Sequence, residues 1–271
     1  MTIQPNQIRH DLSGQRGTLF LVPAPLDFGC STQAPITVAL PARTLEVASG
    51  LEYWICENAK TLRAYLKRVG EVYPLKLAIQ QVQIQELPHA VHKKGDHLGE
   101  TRSQQRSSVE DLLKPALLGN SMGLASEAGM PAVADPGSSV VRAAHALNIN
   151  VVPLVGPSSL LMALSAMGLN GQSFAFVGYV PHESAALQKR LKELEGIVLR
   201  TQQTQLLIET PYRNNALFKG MLSTLQPNTR VGVSVGLTLE SGQNKCQSVA
   251  DWRTQFFELP QNVPVVFAIG T

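Results

Sequence analysis

Gly119-Asn120-Ser121-Met122-Gly123 has the Gly-x-Ser-x-Gly spacing that presents a serine nucleophile in many hydrolases. That chemistry needs a strand before the serine and a helix after it. Here a helix-period stretch over Val109–Leu118 precedes the motif, and a strand-like run over Met122–Ser126 follows it. The order is reversed, so the motif reads as a helix-to-strand turn and a serine hydrolase is rejected. His89-x-x-His92 and His97 offer imidazoles, but no acidic or cysteine ligand shares a matching helical spacing, and no metal site is assigned. Cys30, Cys56 and Cys246 are far apart and form no Cys-x-x-Cys pair, which fits reduced thiols rather than a disulfide framework. Neither a Gly-x-Gly-x-x-Gly fingerprint nor a Gly-Lys-Ser/Thr phosphate loop is present, which counts against nicotinamide dehydrogenases, P-loop enzymes and methyltransferases with a glycine-rich Rossmann loop.

Three loops remain, each at the carboxyl end of an expected strand. They are Pro23-Ala24-Pro25-Leu26-Asp27, then Ser126 to Pro131 running into Asp135-Pro136-Gly137, then Val155-Gly156-Pro157-Ser158-Ser159. In open α/β sheets ligands bind outside those ends, where small residues let backbone amides approach. Glu57, Glu127 and Glu209 are the carboxylates nearest these loops and nearest a matching one in the second half. Their ordinary roles are helix capping, a structural hydrogen bond or a solvated surface. Glu57 is the residue assigned as catalytic base.

The elements that must position these loops alternate along the chain. Strands are expected at 18–22, 53–56, 81–86, 122–126 and 151–154, with helices at 59–69, 109–118, 140–147 and 159–167. Asn58 is placed to cap the helix that starts at Ala59. A β-α-β-α order of this kind makes an α/β sheet with parallel pairs. A turn-rich stretch at 168–172 then resets the pattern. Strands 174–180, 206–209, 231–235 and 264–269 follow, with helices 185–194 and 214–225. The expected organisation is a polar tail over 1–16, one α/β domain over 17–169 and a second over 172–271. A length of 271 residues suits two domains.

Composition limits the function classes. Hydrophobic residues make up 44% and mean hydropathy is +0.02, enough for a real core and against global disorder. Charged residues are only 16%, and 23 Lys and Arg against 20 Asp and Glu leave a net charge of +3, too small to announce a nucleic-acid binder. No apolar run is long enough to cross a membrane, and the N-terminus has no signal-peptide core, so a cytoplasmic protein is expected. The stretch 87–108 fits neither period and gathers Lys93, Lys94, Arg102 and Arg106, a candidate contact for RNA or another anion.

The succession Gly17–Val22, Cys56-Glu57, Ser126–Gly137 and Val152–Ser158 resembles the tetrapyrrole (corrin/porphyrin) methylase superfamily, and within it the small-subunit ribosomal RNA 2′-O-ribose methyltransferase branch. Phe174–Pro181 and Glu209-Thr210-Pro211-Tyr212-Arg213 extend the likeness into the second half. The resemblance implies two consecutive α/β domains, a mainly parallel sheet in the first and a mixed sheet in the second. It implies S-adenosylmethionine as cofactor, held in a cleft between the domains, and a homodimer. The positions matching cofactor contacts are Pro23, Ala24, Glu127, Ala128, Gly129, Met130, Val133, Gly156, Ser158, Ser159, Glu209, Thr210 and Val235.

The chain departs from the ribosomal RNA branch where that branch reads Cys-Glu-Asp-Thr-Arg, having Asn58-Ala59-Lys60 after Cys56-Glu57. It also has Glu127 and Met130 in the Ser-Asp-Ala-Gly-Thr-Pro stretch, and Val235-Gly236-Leu237-Thr238-Leu239 in place of Arg-Glu-Leu-Thr-Lys. Cofactor-side features survive better than acceptor-side ones. The leading expectation is a methyltransferase acting on an RNA ribose, with a tetrapyrrole or other small-molecule acceptor kept open. The alternative is a non-catalytic paralogue that kept the fold.

Overall fold

A computed structural model describes residues 16–27, 29–30, 33–88, 109–255 and 258–271. The expected polar tail, all but Arg16, and the basic stretch 89–106 lie outside these residues. The described chain forms two units. One is drawn from within Met1–Val22, Arg43–Glu127 and Pro131–Leu154, the other from Pro23–Ala42, Ala128–Met130 and Val155–Thr271.

The first unit is built on strands β1 (Thr18–Leu21), β2 (Tyr53–Cys56), β3 (Gln83–Glu86), β4 (Met122–Ala125) and β5 (Asn150–Pro153). They form a sheet ordered β3-β2-β4-β1-β5 in which every pair is parallel. Strand alternation decides which residues share each face. Leu19, Ile55, Met122 and Leu124 join one buried cluster with Val140, Ala144, Leu113 and Ala116. Trp54 is buried on the opposite side of β2 and meets the Tyr65 ring edge-on, centroids 6.4 Å apart. Gly123 leaves room for that indole: a Cβ there would lie 2.5 Å from Trp54 Cε3.

Helix α1 (Ile36–Ala39) and helix α2 (Ala42–Gly50) lie between β1 and β2, a stretch with no element assigned from the sequence. Helix α3 (Ala59–Gly70) begins where expected. Asn58 caps it, its Oδ1 accepting from the N–H groups of Lys60 and Thr61 at 2.9 and 3.2 Å. The helical stretch after residue 108 breaks at Leu113 and resumes as α4 (Lys114–Leu117). Helix α5 (Ser138–Ala146) leads into β5.

The second unit holds α6 (Ser159–Met167), β6 (Phe174–Gly178), α7 (Ser184–Thr201), β7 (Thr204–Ile208), α8 (Asn214–Thr224), β8 (Arg230–Val235), β9 (Gln243–Ser248), α9 (Val249–Thr254) and β10 (Val265–Gly270). Its sheet runs β6-β7-β10-β8-β9, with β6 and β7 parallel and the other pairs antiparallel. The central strand β10 is buried along its whole length. Val265, Phe267 and Ile269 join a core with Phe218 and Trp252, whose rings meet perpendicularly at 5.0 Å. Val266 and Ala268 turn to the other face, toward Leu160, Ala163, Leu164 and Met167 of α6.

Packing therefore puts α6 with the second sheet, where Met167 fills the space above Gly232 (a Cβ would lie 2.5 Å from its sulfur). The turn 168–172 falls inside this unit, and the contact boundary lies between Leu154 and Val155. The turn residues mark a change of element, whereas the allegiance of α6 is set by which sheet buries its apolar stripe.

Glu195 of α7 is a buried acid, 4% exposed, that accepts from Gln226 N at 2.8 Å and Thr229 Oγ1 at 2.5 Å. Replacing Glu195 with alanine leaves both donors without that acceptor, and about 3 kcal/mol of stability is expected to be lost. Urea unfolding measures it. A loss under about 1 kcal/mol would show that the two donors find other partners.

Candidate active site

Strands β4, β1 and β5 are parallel neighbours, so their carboxyl ends leave the first sheet at the same edge. The loops that continue them meet within the second unit. Ala24 and Gly129 exchange backbone hydrogen bonds, Ala24 N to Gly129 O at 2.9 Å and Gly129 N to Ala24 O at 3.0 Å. Gly129 holds φ at +68°, a left-handed value that glycine adopts without strain. Gly156 approaches Pro23 so closely that a Cβ would lie 2.3 Å from Pro23 Cγ. Thus Pro23, Ala24, Gly129 and Gly156 are brought together. Ala128 and Met130 flank Gly129, both half-buried. Ser158 is the N-cap residue of α6 and Ser159 its first residue, and the Ser158 hydroxyl makes no capping bond.

The first unit, taken by itself, holds carboxylates near the ends of β2 and β4. Glu57 follows β2 and Glu127 follows β4 by one residue, and Thr61 Oγ1 of α3 donates to Glu127 Oε1 at 3.1 Å. Ser126 is buried, and its Oγ has no hydrogen-bond partner among the described residues. The residue that sequence reasoning missed is Asp135. Burial, then the charges of Glu57 and Glu127, push its carboxyl up to about 7. The loop that presents it turns through positive φ at Ala132 (63°), Ala134 (67°) and Gly137 (133°). A Cβ on Gly137 would press within 3.2 Å of Leu124 Cδ2, which ties the loop to the core of β4. Asp135-Pro136-Gly137 reads locally as an ordinary turn, and nothing adjacent to it announces two further acids. Val133, in the same loop, is 44% exposed. Next to Glu57, burial pushes the Cys56 thiol up to about 12, with Glu86 adding to the effect, so it is no nucleophile.

In the second unit Glu209 closes β7. Its side chain is 1% exposed; Oε1 accepts from Thr210 N (2.8 Å) and Thr210 Oγ1 (3.2 Å), and Oε2 from Arg213 Nε (3.3 Å). Val235 ends β8 as a buried residue, and the chain turns after it at Gly236 and Thr238, with φ of 58° and 74°.

The hydrolase-like motif is structural. Ser121 Oγ accepts from Thr18 N at 3.2 Å, and Gly123 makes room for Trp54. Among the described residues no group of three His, Cys, Asp or Glu side chains could hold a metal ion. Nor is any described helix long and apolar enough to cross a membrane.

An all-parallel five-stranded sheet followed by a mixed five-stranded sheet is the fold of the tetrapyrrole methylases. A uroporphyrin-III-C-methyltransferase from Thermus thermophilus superposes with a TM-score of 0.51 at 19% identity, over 94% of each chain. The methyltransferase CobJ superposes with a TM-score of 0.54 at 14% identity, again over 94% of each. In sequence the chain is related to proteins named ribosomal RNA small subunit methyltransferase I. That of Vibrio cholerae serotype O1 is 34% identical over 141 residues, 52% of this chain and 47% of the relative. That of Streptococcus pyogenes serotype M3 is 30% identical over 207 residues, 76% and 60% respectively. That of Escherichia coli O157:H7 is 30% identical over 181 residues, 67% and 53%. The chain thus spans roughly half the length of these relatives. No protein-family model matches it.

Proposed function

We propose that this chain is an S-adenosylmethionine-dependent methyltransferase whose acceptor is a ribose 2′-hydroxyl of RNA, acting in the cytoplasm as a homodimer. The observation that carries the reading is the convergence of Pro23-Ala24, Gly129 and Gly156. Gly156 has no side chain to keep Pro23 away, and the paired backbone groups of Ala24 and Gly129 lock the loops together, so three strand-end loops are fixed side by side where α/β sheets bind ligands. The residues fit the cofactor's chemistry: peptide groups for the adenosine and methionine polar atoms, and Val155, 74% exposed, as apolar surface. Bound there, the cofactor supplies an electrophilic methyl on sulfur.

This chain's own residues would do the rest. Most of the acceleration of an in-line displacement comes from holding the nucleophile in place and excluding water. A ribose hydroxyl must also lose its proton, and a base is most effective when its pKa lies near the working pH. Asp135 meets that condition, so we assign it the proton in place of Glu57, the base expected from the sequence: burial first, and then the charges of Glu57 and Glu127, keep its proton affinity high. Glu57 acts through Asp135 in this assignment.

Calorimetry with S-adenosylhomocysteine tests the cofactor assignment, with saturable binding expected. Absence of heat at millimolar ligand would sink it. Purified protein and labelled cofactor added together to extract of cells lacking the protein should then place label in an RNase-sensitive fraction. Label in a small-molecule fraction would move the acceptor to a tetrapyrrole or similar compound. Binding without transfer to anything would leave a non-catalytic paralogue.

A further inference from the structure

The Glu209–Arg213 pair holds a charged fork in one direction without using it up. Glu209 is buried and both its oxygens are engaged, one by Thr210 and one by the Arg213 Nε. Arg213 is 26% exposed, and its two terminal nitrogens donate to nothing among the described residues. A guanidinium fixed through Nε presents its remaining donors as a planar fork, the geometry that matches two phosphate oxygens.

Retaining a buried carboxylate for this purpose costs desolvation that an apolar residue would avoid. Orientation of the arginine is the return. Tyr212, its neighbour in the single turn Pro211–Arg213, is 75% exposed. The turn is fixed on both sides, at Thr210 and at Arg213, so the phenol ring is held out on a braced backbone. Helix α8 begins directly after it, so the positive end of its dipole lies at this turn.

A fork for phosphate beside an exposed aromatic ring is the pairing used on single-stranded nucleic acid, where the backbone is neutralised and a base stacks. We propose that Arg213 and Tyr212 bind one nucleotide of the RNA acceptor, Arg213 on its phosphate and Tyr212 under its base, with Glu209 as the positioning residue. This rests on the reading of the acceptor as RNA.

The test measures binding of a short single-stranded RNA of mixed sequence, with S-adenosylhomocysteine saturating, between about 50 and 200 mM salt. Tyr212→Ala is expected to weaken RNA binding about tenfold, and Tyr212→Phe to leave it unchanged, because stacking needs the ring and not the hydroxyl. Arg213→Gln should weaken it and lower the slope of log K against log salt by about 0.7, one phosphate contact on a single strand. Since that variant strands the Glu209 charge, Glu209→Gln/Arg213→Gln is measured beside it. The double variant should keep its melting temperature and still show the RNA loss.

If Tyr212→Ala and the double variant bind RNA as the wild type does, the inference fails while the RNA acceptor stands. If they lose S-adenosylhomocysteine instead, the turn serves the cofactor and the inference also fails. No RNA binding by the wild type at any salt overturns the acceptor itself, and the inference with it.

Discussion

Asp135→Asn is expected to stabilise the protein above pH 7 by on the order of 4 kcal/mol and to change nothing below pH 4. The sign follows from the direction of the shift. An unfolded chain releases the aspartate proton near the ordinary value of 3.8, whereas the folded state holds it until about 7. Between those values the native state binds a proton that the unfolded state has lost, so stability declines as pH rises across this window and is lowest once Asp135 ionises beside Glu57 and Glu127. An amide at 135 has no charge to bury and removes that slope. Urea unfolding of both proteins at intervals from pH 4 to 8 measures the difference directly. A difference that does not grow with pH means that neither burial nor the neighbouring acids raise the proton affinity of Asp135. The same variant should bind S-adenosylhomocysteine normally and lose methyl transfer, since it keeps the loop and removes the proton acceptor. A residue that costs stability at neutral pH while its neighbours keep it costly is what a poised base requires.

Gly156→Ala should weaken S-adenosylhomocysteine binding about tenfold, roughly 1.4 kcal/mol, because the two loops that meet there must separate. The new Cβ would sit 2.3 Å from Pro23 Cγ, 2.5 Å from Pro23 Cβ and 3.1 Å from Leu40 Cδ2. A proline ring cannot swing aside as a flexible side chain does, so one loop must move away from the other. Overpacking of this kind also costs about 1–3 kcal/mol of stability. Gly171→Ala is the matched control, because nothing lies within 4 Å of a Cβ there. Calorimetry on both separates steric displacement from a general effect of removing glycine. Affinity for Gly156→Ala within about twofold of the wild type would mean that the Pro23–Gly156 approach does not shape the cofactor site.

The departures from the ribosomal RNA branch acquire particular meanings in the structure. Asn58, which replaces an aspartate, accepts from two backbone N–H groups and caps α3, so the helix start keeps its acceptor without the charge. Glu127 keeps a carboxylate at its position and takes a hydrogen bond from Thr61. Carboxylates stand at 57, 127 and 135 in the same unit, and burial together with the charges of Glu57 and Glu127 raises the proton affinity of Asp135.

The alternation of strands and helices, the cap at Asn58, the exact span of α6 and the three loops at strand ends could be read from the sequence, because each leaves a local signal. Apolar runs, a 3.6-residue period and turn residues act over a few neighbours, and Ser159–Met167 shows all three. The resemblance carried by those loops also identified the fold. Only the tertiary structure decided the rest. Strand β9, Gln-Asn-Lys-Cys-Gln-Ser at a sheet edge, has no hydrophobic pattern to betray it, since its pairing with β8 is made by backbone groups. Helices α1 and α2 went unassigned between two clearer strands. The serine-motif glycine at 123 is explained by a tryptophan sixty-nine positions earlier in the chain, 123 − 54. Asp135 looks like half of a turn until the fold sets Glu57 and Glu127 near it. A side chain's identity is local, but its proton affinity depends on burial and on charges that arrive from distant parts of the chain.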